Sequence, residues 1–201
     1  MSHEPNAESL ALLEKLVEAL KRKGICTEED LAIRQQSAER ANPETGARMV
    51  AKAWTDPVYH DLLVRDGTAA AEAMGIRMQG NPPLGVLEDT PSLHHLVVCT
   101  LCSCYPRAII GYPPHWYKSA AYRARAVREP RAVLAEFGTI LPEAMQVRVV
   151  DSTADFRWMV LPQRPPGTEG WSETQLAALV TRDHLVGVSL PASPQGASRA
   201  A

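Results

Sequence analysis

Apolar residues recur at helical spacing over residues 8–23, where Leu10, Leu13, Leu16, Val17 and Leu20 share one face and Gly24 marks a stop. Thr27-Glu28-Glu29-Asp30 has the form of a capping box with Asp in the place of Glu. It opens a second helix that is almost entirely polar after Leu31 and Ile33. A helix so polar buries little within its own domain, so this pair is either a solvated arm or an arm that embraces another chain. Pro43 starts a third helix through Met49, Val50, Ala53 and Trp54. Pro57 starts a fourth, with Leu62, Leu63 and Val64 before an Asp66-Gly67 turn, and a short alanine-rich helix ends at Gly75.

Beyond Gly75 the period changes. Residues 76–92, with Pro82, Pro83 and Pro91, read as a loop, and His94-His95-Leu96-Val97-Val98 as a strand. Residues 146–150 and 156–161 predict two strands joined as a hairpin through Asp151-Ser152-Thr153-Ala154. Ser172-Glu173-Thr174-Gln175 is a capping box opening a last helix through Leu176, Leu179 and Val180. His184 to Val188 reads as a short strand, and the small, polar tail from Pro191 as disordered. The expected class is α+β: a helical N-terminal arm over residues 1–42, a sheet-containing domain over 43–190, and a tail over 191–201.

The chain has 201 residues, long enough for a substantial core. A formal charge of −2 argues against nucleic acid or an anionic membrane as partner. The basic face of Arg123, Arg125, Arg128 and Arg131 lies beside Glu129 and Glu136, so several of these arginines are expected in structural or inter-subunit pairs. With neither an apolar leader nor an 18-residue apolar run, the expectation is a soluble, cytoplasmic protein. His3, His60, His115 and His184 fall in no pattern, and surface or packing roles are expected for them.

The remaining signal is chemical. Cys99, Cys102 and Cys104 fall within six residues, spaced C-x-x-C-x-C, where the strand runs into a tight loop. In a reducing compartment such a cluster favours a metal over disulfides, which neighbours this close would also strain. Cys26, alone in a helical region, is expected to be an inert, half-buried or buried thiol. A structural zinc site wants four ligands, and a fourth is hard to find: no second C-x-x-C is present, and at most one of His94 and His95 could face the loop. The Cys102-Ser103-Cys104 step allows another geometry. Deprotonated backbone nitrogens of Ser103 and Cys104 and the sulfurs of Cys102 and Cys104 can ring a metal in one plane, with Cys99 axial and a sixth position open. Amidate and thiolate donors favour a low-spin trivalent ion, while a zinc-binding module without catalysis stays open as an alternative.

Val98-Cys99-Thr100-Leu101-Cys102-Ser103-Cys104 resembles the metal motif of nitrile hydratase α subunits. The likeness extends to Ala51-Lys52-Ala53-Trp54, Asp66-Gly67-Thr68-Ala69-Ala70, Gly111-Tyr112-Pro113-Pro114-His115-Trp116-Tyr117-Lys118-Ser119, Val160-Leu161-Pro162-Gln163-Arg164-Pro165 and Leu179-Val180-Thr181-Arg182-Asp183, covering residues 27 to 188. The resemblance implies a nitrile-to-amide hydratase with non-corrin cobalt(III), or alternatively iron(III), Thr100 marking the cobalt type. It further implies a sulfinic acid at Cys102, a sulfenic acid at Cys104 and an unmodified thiolate at Cys99. Cys99, Cys102, Ser103 and Cys104 would hold the metal; Cys104, Cys102 and Gln79 would be catalytic, with Ser103 and Arg107 facing substrate. The family's β subunit, which supplies arginines to the oxidised cysteines, and a cobalt-delivering activator protein are the implied partners. The related thiocyanate hydrolase is the competing enzyme reading.

Two positions depart from the family or strain its register. The family carries tryptophan and proline where this chain has Arg107-Ala108, so either a guanidinium faces a bulkier, more polar or heteroaromatic nitrile, or Arg107 turns outward or pairs with a partner carboxylate. Gln79 either orders a substrate-bound water, as in the family, or faces solvent, since one extra residue lies between it and Glu88-Asp89-Thr90-Pro91.

Overall fold

Helix boundaries follow the local capping chemistry. The computed structural model describes residues 6–194, apart from the side chains of Arg34 and of residues 37–40, and divides the chain between Arg40 and Ala41. His3 and residues 195–201 of the expected tail lie outside the described residues. Ahead of the division, α1 (Ala7–Arg22) begins where the Asn6 side chain accepts from the Ser9 amide at 2.8 Å. It ends at Gly24, whose φ of 67° suits glycine. In α2 (Glu28–Arg40) the Thr27 amide donates to Asp30 Oδ2 at 2.9 Å and the Asp30 amide to Thr27 Oγ1 at 3.0 Å, so Asp completes the box. No residue of α1 is buried, and Cys26 is half-buried.

Beyond the division the fold is α+β. Helices α3 (Pro43–Thr55), α4 (Pro57–Arg65) and α5 (Gly67–Ala73) start at Asn42, Asp56 and Asp66, each of which caps the following turn with its side-chain oxygen. Strand β1 (Leu84–Glu88) leads through a tight turn into β2 (Leu93–Val98). Four short helices follow: α6 (Arg107–Ile110), α7 (His115–Lys118), α8 (Ala120–Arg128) and α9 (Pro130–Glu136). Strands β3 (Gln146–Asp151) and β4 (Arg157–Leu161) precede α10 (Glu173–Ala177) and α11 (Arg182–Val186). The core gathers Met49, Leu63, Leu96, Ile109, Ile110, Tyr117, Met159 and Leu185, all fully enclosed.

The strand pairing corrects the hairpin expectation. β3 pairs with β2 and β4 with β1, both in parallel, so the turn at residues 152–156 passes from one two-stranded sheet to the other. Ser152 makes the crossing by giving its amide to the Val98 carbonyl (2.7 Å) and accepting at its hydroxyl from the Trp158 amide (3.1 Å). The stretch expected as a loop contains β1, because Leu84 and Val86 find their partner about 70 residues away in β4. Gly85 admits that partner: a Cβ there would sit 2.4 Å from the Trp158 ring. The expected strand at 184–188 is mostly helix α11, opened by the Thr181 amide donating to His184 Nδ1 at 2.9 Å. α10 stops at Ala177, before Leu179 and Val180.

Strand β2 is the element that aims the cysteine loop, and it is buried from His94 to Val98. Both ring nitrogens of His94 face acceptors, Nδ1 at 2.9 Å from Asp89 Oδ2 and Nε2 at 2.7 Å from the Gly187 carbonyl. A protonated His94 ring would face the Asp89 carboxylate as an ion pair. Burial, the largest single influence, would lower the His94 pKa, but the bond to Asp89, the Asp89 charge and the Gly187 carbonyl together raise it. Burial would likewise push Asp89 up, and the bonds from His94 and His95 hold it below the usual carboxylate range. His60 joins α4 to β1 through Glu88 at 2.9 Å.

Candidate metal centre

The chain leaves β2 at Val98 and turns so that Cys99, Cys102 and Cys104 converge. Their sulfurs all lie within 4.8 Å of one another, with Cys99 Sγ–Cys102 Sγ at 3.6 Å and Cys102 Sγ–Cys104 Sγ at 3.3 Å. Cys99 and Cys104 are buried and Cys102 is exposed. Hydrogen bonding from Cys104, then from the Ser103 amide, lowers the Cys102 pKa. Burial, followed by the bond to Cys102, pushes Cys104 up to about 12. The two neighbours Cys102 and Cys104 are thus driven in opposite directions, a conflict that a soft cation relieves.

The donors present fit a thiolate metal site of fewer than four side chains. Among the described residues no other His, Cys, Asp or Glu joins the group. His94 and His95 are committed to Asp89, so neither completes a zinc tetrahedron. Also among the described residues, no oxygen accepts from the amides of Ser103 or Cys104; both instead favour the Cys102 thiolate.

Sheet register holds the loop. Val98 pairs with Asp151 across β2 and β3, which brings the Asp151 carboxylate to Thr100. It accepts from the Thr100 amide at 3.0 Å and from the Thr100 hydroxyl. Arg123 Nη1 donates to the carbonyls of Thr100 (3.1 Å) and Leu101 (2.8 Å). The Tyr117 hydroxyl donates to the Cys104 carbonyl at 2.9 Å, and that of Tyr122 to the Val97 carbonyl at 2.7 Å. Sequence reading noted Tyr117 in a family-like stretch and Arg123 in the basic face but tied none of these residues to the cysteine loop, because each reaches it through a contact distant along the chain.

A cleft of about 360 Å³ opens beside the loop, lined by Cys102, Ser103, Cys104, Asn81, Arg107 and Arg157 among others. Arg107, at the start of α6, lies on the cleft with its guanidinium 5.3 Å from the centre of the Tyr112 ring. Arg157 opens β4, and its Nη1 is buried without a partner among the described residues. Its charge partly offsets the effect of burial on Cys104. Sequence reading missed Arg157, which reaches the cleft through the parallel β1–β4 pairing. Gln79 is exposed and its Oε1 accepts from Arg77 at 2.8 Å; its neighbours Met78 and Asn81 line the cleft.

A small α+β body presenting three cysteines on one loop above a cleft defines a thiolate metal-site subunit. Comparison with known proteins makes this specific. Residues 7–189 match the family described as nitrile hydratase, alpha chain. The chain is 49% identical over 180 residues to the thiocyanate hydrolase subunit gamma of Thiobacillus thioparus, covering 84% of this chain and 74% of that one. It is 53% identical over 155 residues to the low-molecular weight cobalt-containing nitrile hydratase subunit alpha of Rhodococcus rhodochrous, covering 77% and 75%. Among solved structures, a recombinant thiocyanate hydrolase with partially modified cobalt centers superposes with a TM-score of 0.84 at 45% identity, covering 95% of this chain and 93% of that one. An Fe-type nitrile hydratase mutant from Comamonas testosteroni Ni1 gives 0.82 at 45% identity, covering 95% and 94%. The chain belongs to the nitrile hydratase α-chain family. It is an enzyme subunit, and no described helix is long and apolar enough to cross a membrane.

Proposed function

We propose that the chain is the α subunit of a cytoplasmic, cobalt-type nitrile hydratase that converts a nitrile to its amide together with a β subunit, after an activator protein delivers the cobalt. The observation that carries this reading is the convergence of three sulfurs within 4.8 Å on a loop whose Ser103 and Cys104 amides meet no oxygen acceptor among the described residues. Cys99, Cys102 and Cys104 would hold the metal through sulfur, and Ser103 and Cys104 through their backbone nitrogens. When bound, cobalt(III) supplies a Lewis acid that polarises the nitrile carbon toward attack. Iron(III) is the alternative metal.

The remaining roles belong to the chain. Cys102 as sulfinic acid would be a weaker donor than a thiolate. Cys104 as sulfenate would either take a proton from the water that adds to the nitrile carbon or attack that carbon itself and be released by water. In both cases a C≡N pair moves to nitrogen, which is protonated to give the amide. The Ser103 hydroxyl orients the substrate in the cleft. Gln79, flanked by the cleft residues Met78 and Asn81, orders water at its mouth. Arg107 widens the choice toward bulky or heteroaromatic nitriles by putting a planar fork of donors on the cleft.

A second reading, thiocyanate hydrolysis, is favoured by one observation: Arg107 and Arg157 line the cleft and, among the described residues, no carboxylate does, a setting suited to a small anion. Metal analysis and peptide mass on the chain produced with its partner test the first reading. About one cobalt per chain and about three added oxygens across Cys99 to Cys104 are expected. Zinc with three free thiols, persisting after cobalt and activator are supplied, would overturn it. Turnover of a nitrile panel against thiocyanate separates the two enzymes, and Cys104→Ala is expected to abolish either activity.

A further inference from the structure

Two arginines two residues apart on α8 are treated in opposite ways. Arg125 is neutralised, with Nε at 2.6 Å from Glu129 and Nη2 at 2.5 Å from Glu136. Arg123 pairs with no carboxylate among the described residues, although it is half-buried and its Nε is enclosed without a partner. Keeping an unpaired guanidinium from water costs free energy. Arg123 Nη1 donates to two carbonyls of the cysteine loop, those of Thr100 and Leu101. The Thr100 amide and hydroxyl meanwhile face the Asp151 carboxylate. The Thr100 backbone is thus strung between an anion at its N–H and a cation at its C=O, each matched to its dipole.

From this we infer that Arg123 is the chain's own positioning residue and counter-charge for the metal loop. It rests on the metal-centre reading above. As a clamp, it fixes the two carbonyls that precede Cys102, and so the direction in which the Cys102-Ser103-Cys104 backbone enters the site. As a charge, it offsets the negative charge that the three cysteine sulfurs acquire when they hold a cation. The absence of a carboxylate beside Arg123 is then functional, because a partner like those of Arg125 would cancel the charge. Outer contacts of this kind tune metal retention by about 10–100-fold.

The test uses the full chain co-produced with its partner subunit and activator, as wild type, Arg123→Gln, Arg123→Lys and the control Arg125→Gln. Glutamine keeps a donor for the carbonyls and loses the charge; lysine keeps the charge and loses the fork. Chelator-driven cobalt release, the sulfur-to-metal absorption band, and amide hydrogen exchange of Leu101 to Ser103 in the metal-free chain are measured. Arg123→Gln is expected to release cobalt about 10–100-fold faster with a shifted band. Arg123→Lys should recover most of the retention but exchange its loop amides faster, and Arg125→Gln should match wild type. Wild-type retention, band and exchange in Arg123→Gln would overturn the inference, as would an equal effect of Arg125→Gln. Should the glutamine variant not fold, a lysine variant with wild-type exchange overturns the clamp, and one that loses cobalt 10-fold faster or more overturns the counter-charge. A wild-type chain that takes up no cobalt defeats the metal reading instead, and exchange in the metal-free chain still decides the clamp.

Discussion

Helices α1 and α3 carry the same kind of apolar stripe and meet opposite fates. In α3 the stripe is spent inside the chain: Met49 and Val50 are wholly enclosed, and the helix packs against α4, α6, α10 and α11. In α1 it is left in the open, with Leu10, Leu13 and Leu16 all roughly half exposed and no residue buried. An amphipathic pattern states that a face needs covering and says nothing about what covers it. Each leucine of α1 that another surface encloses is worth about 1.5–3 kcal/mol. That is the physical basis for proposing residues 1–42 as an arm that grips the β subunit.

The inward side of this comparison breaks hardest at the buried charges behind the metal loop. Asp89→Ala leaves the His94 imidazolium enclosed and unpaired and is expected to cost about 3–5 kcal/mol in urea unfolding. The contribution depends on pH from both sides. The folded Asp89 pKa is depressed, so its share is present above the unfolded value of about 3.9 and is lost as pH falls through the folded pKa. The folded His94 pKa is raised, so its share is present below the unfolded value of about 6.5 and is lost as pH rises through the folded pKa. The gap between wild type and Asp89→Ala should therefore be widest between about pH 4 and 6.5. A gap that is flat with pH would mean that the pair is held neutral.

Met49→Ala removes the centre of the α3 stripe and should cost about 2–5 kcal/mol by the same measurement. A loss below about 1 kcal/mol would show that the core under α3 collapses around the vacancy. The smallest effect belongs to α1. Leu13→Ala should leave the stability of the chain alone within about 0.5 kcal/mol and weaken its association with the β subunit by about tenfold, read by titration of the two purified subunits. Equal costs for Met49→Ala and Leu13→Ala in the isolated chain would erase the distinction between the two helices.

What was legible in the sequence is what neighbouring residues decide among themselves. The boxes at Thr27 and Ser172 and the helix starts at Pro43 and Pro57 depend on residues three or fewer apart, and the covalent geometry of a turn fixes such contacts. The cysteine cluster is the same kind of fact, because three sulfurs within six residues can hardly avoid one another on a tight loop. Apart from residues 184–188, where a local cap at Thr181 makes helix α11 of an expected strand, the misread elements were those with distant partners. β1 hid behind prolines, and the supposed hairpin of β3 and β4 dissolved because each strand has its hydrogen-bonding partner in β2 or β1 rather than in the other.

The same division runs through the metal centre. By itself the sequence determined that Cys99, Cys102 and Cys104 share one short loop, since spacing along the backbone keeps three sulfurs within reach of one another. Only the tertiary structure decided what surrounds it: Asp151 on Thr100 through the parallel register, Arg123 on the loop carbonyls, Arg157 on the cleft, and His94 and His95 turned to Asp89. Apart from the His94 and His95 pairs, whose partner Asp89 is near in the chain, those contacts depend on which apolar faces pack together over long separations, and no local pattern encodes the outcome of that competition.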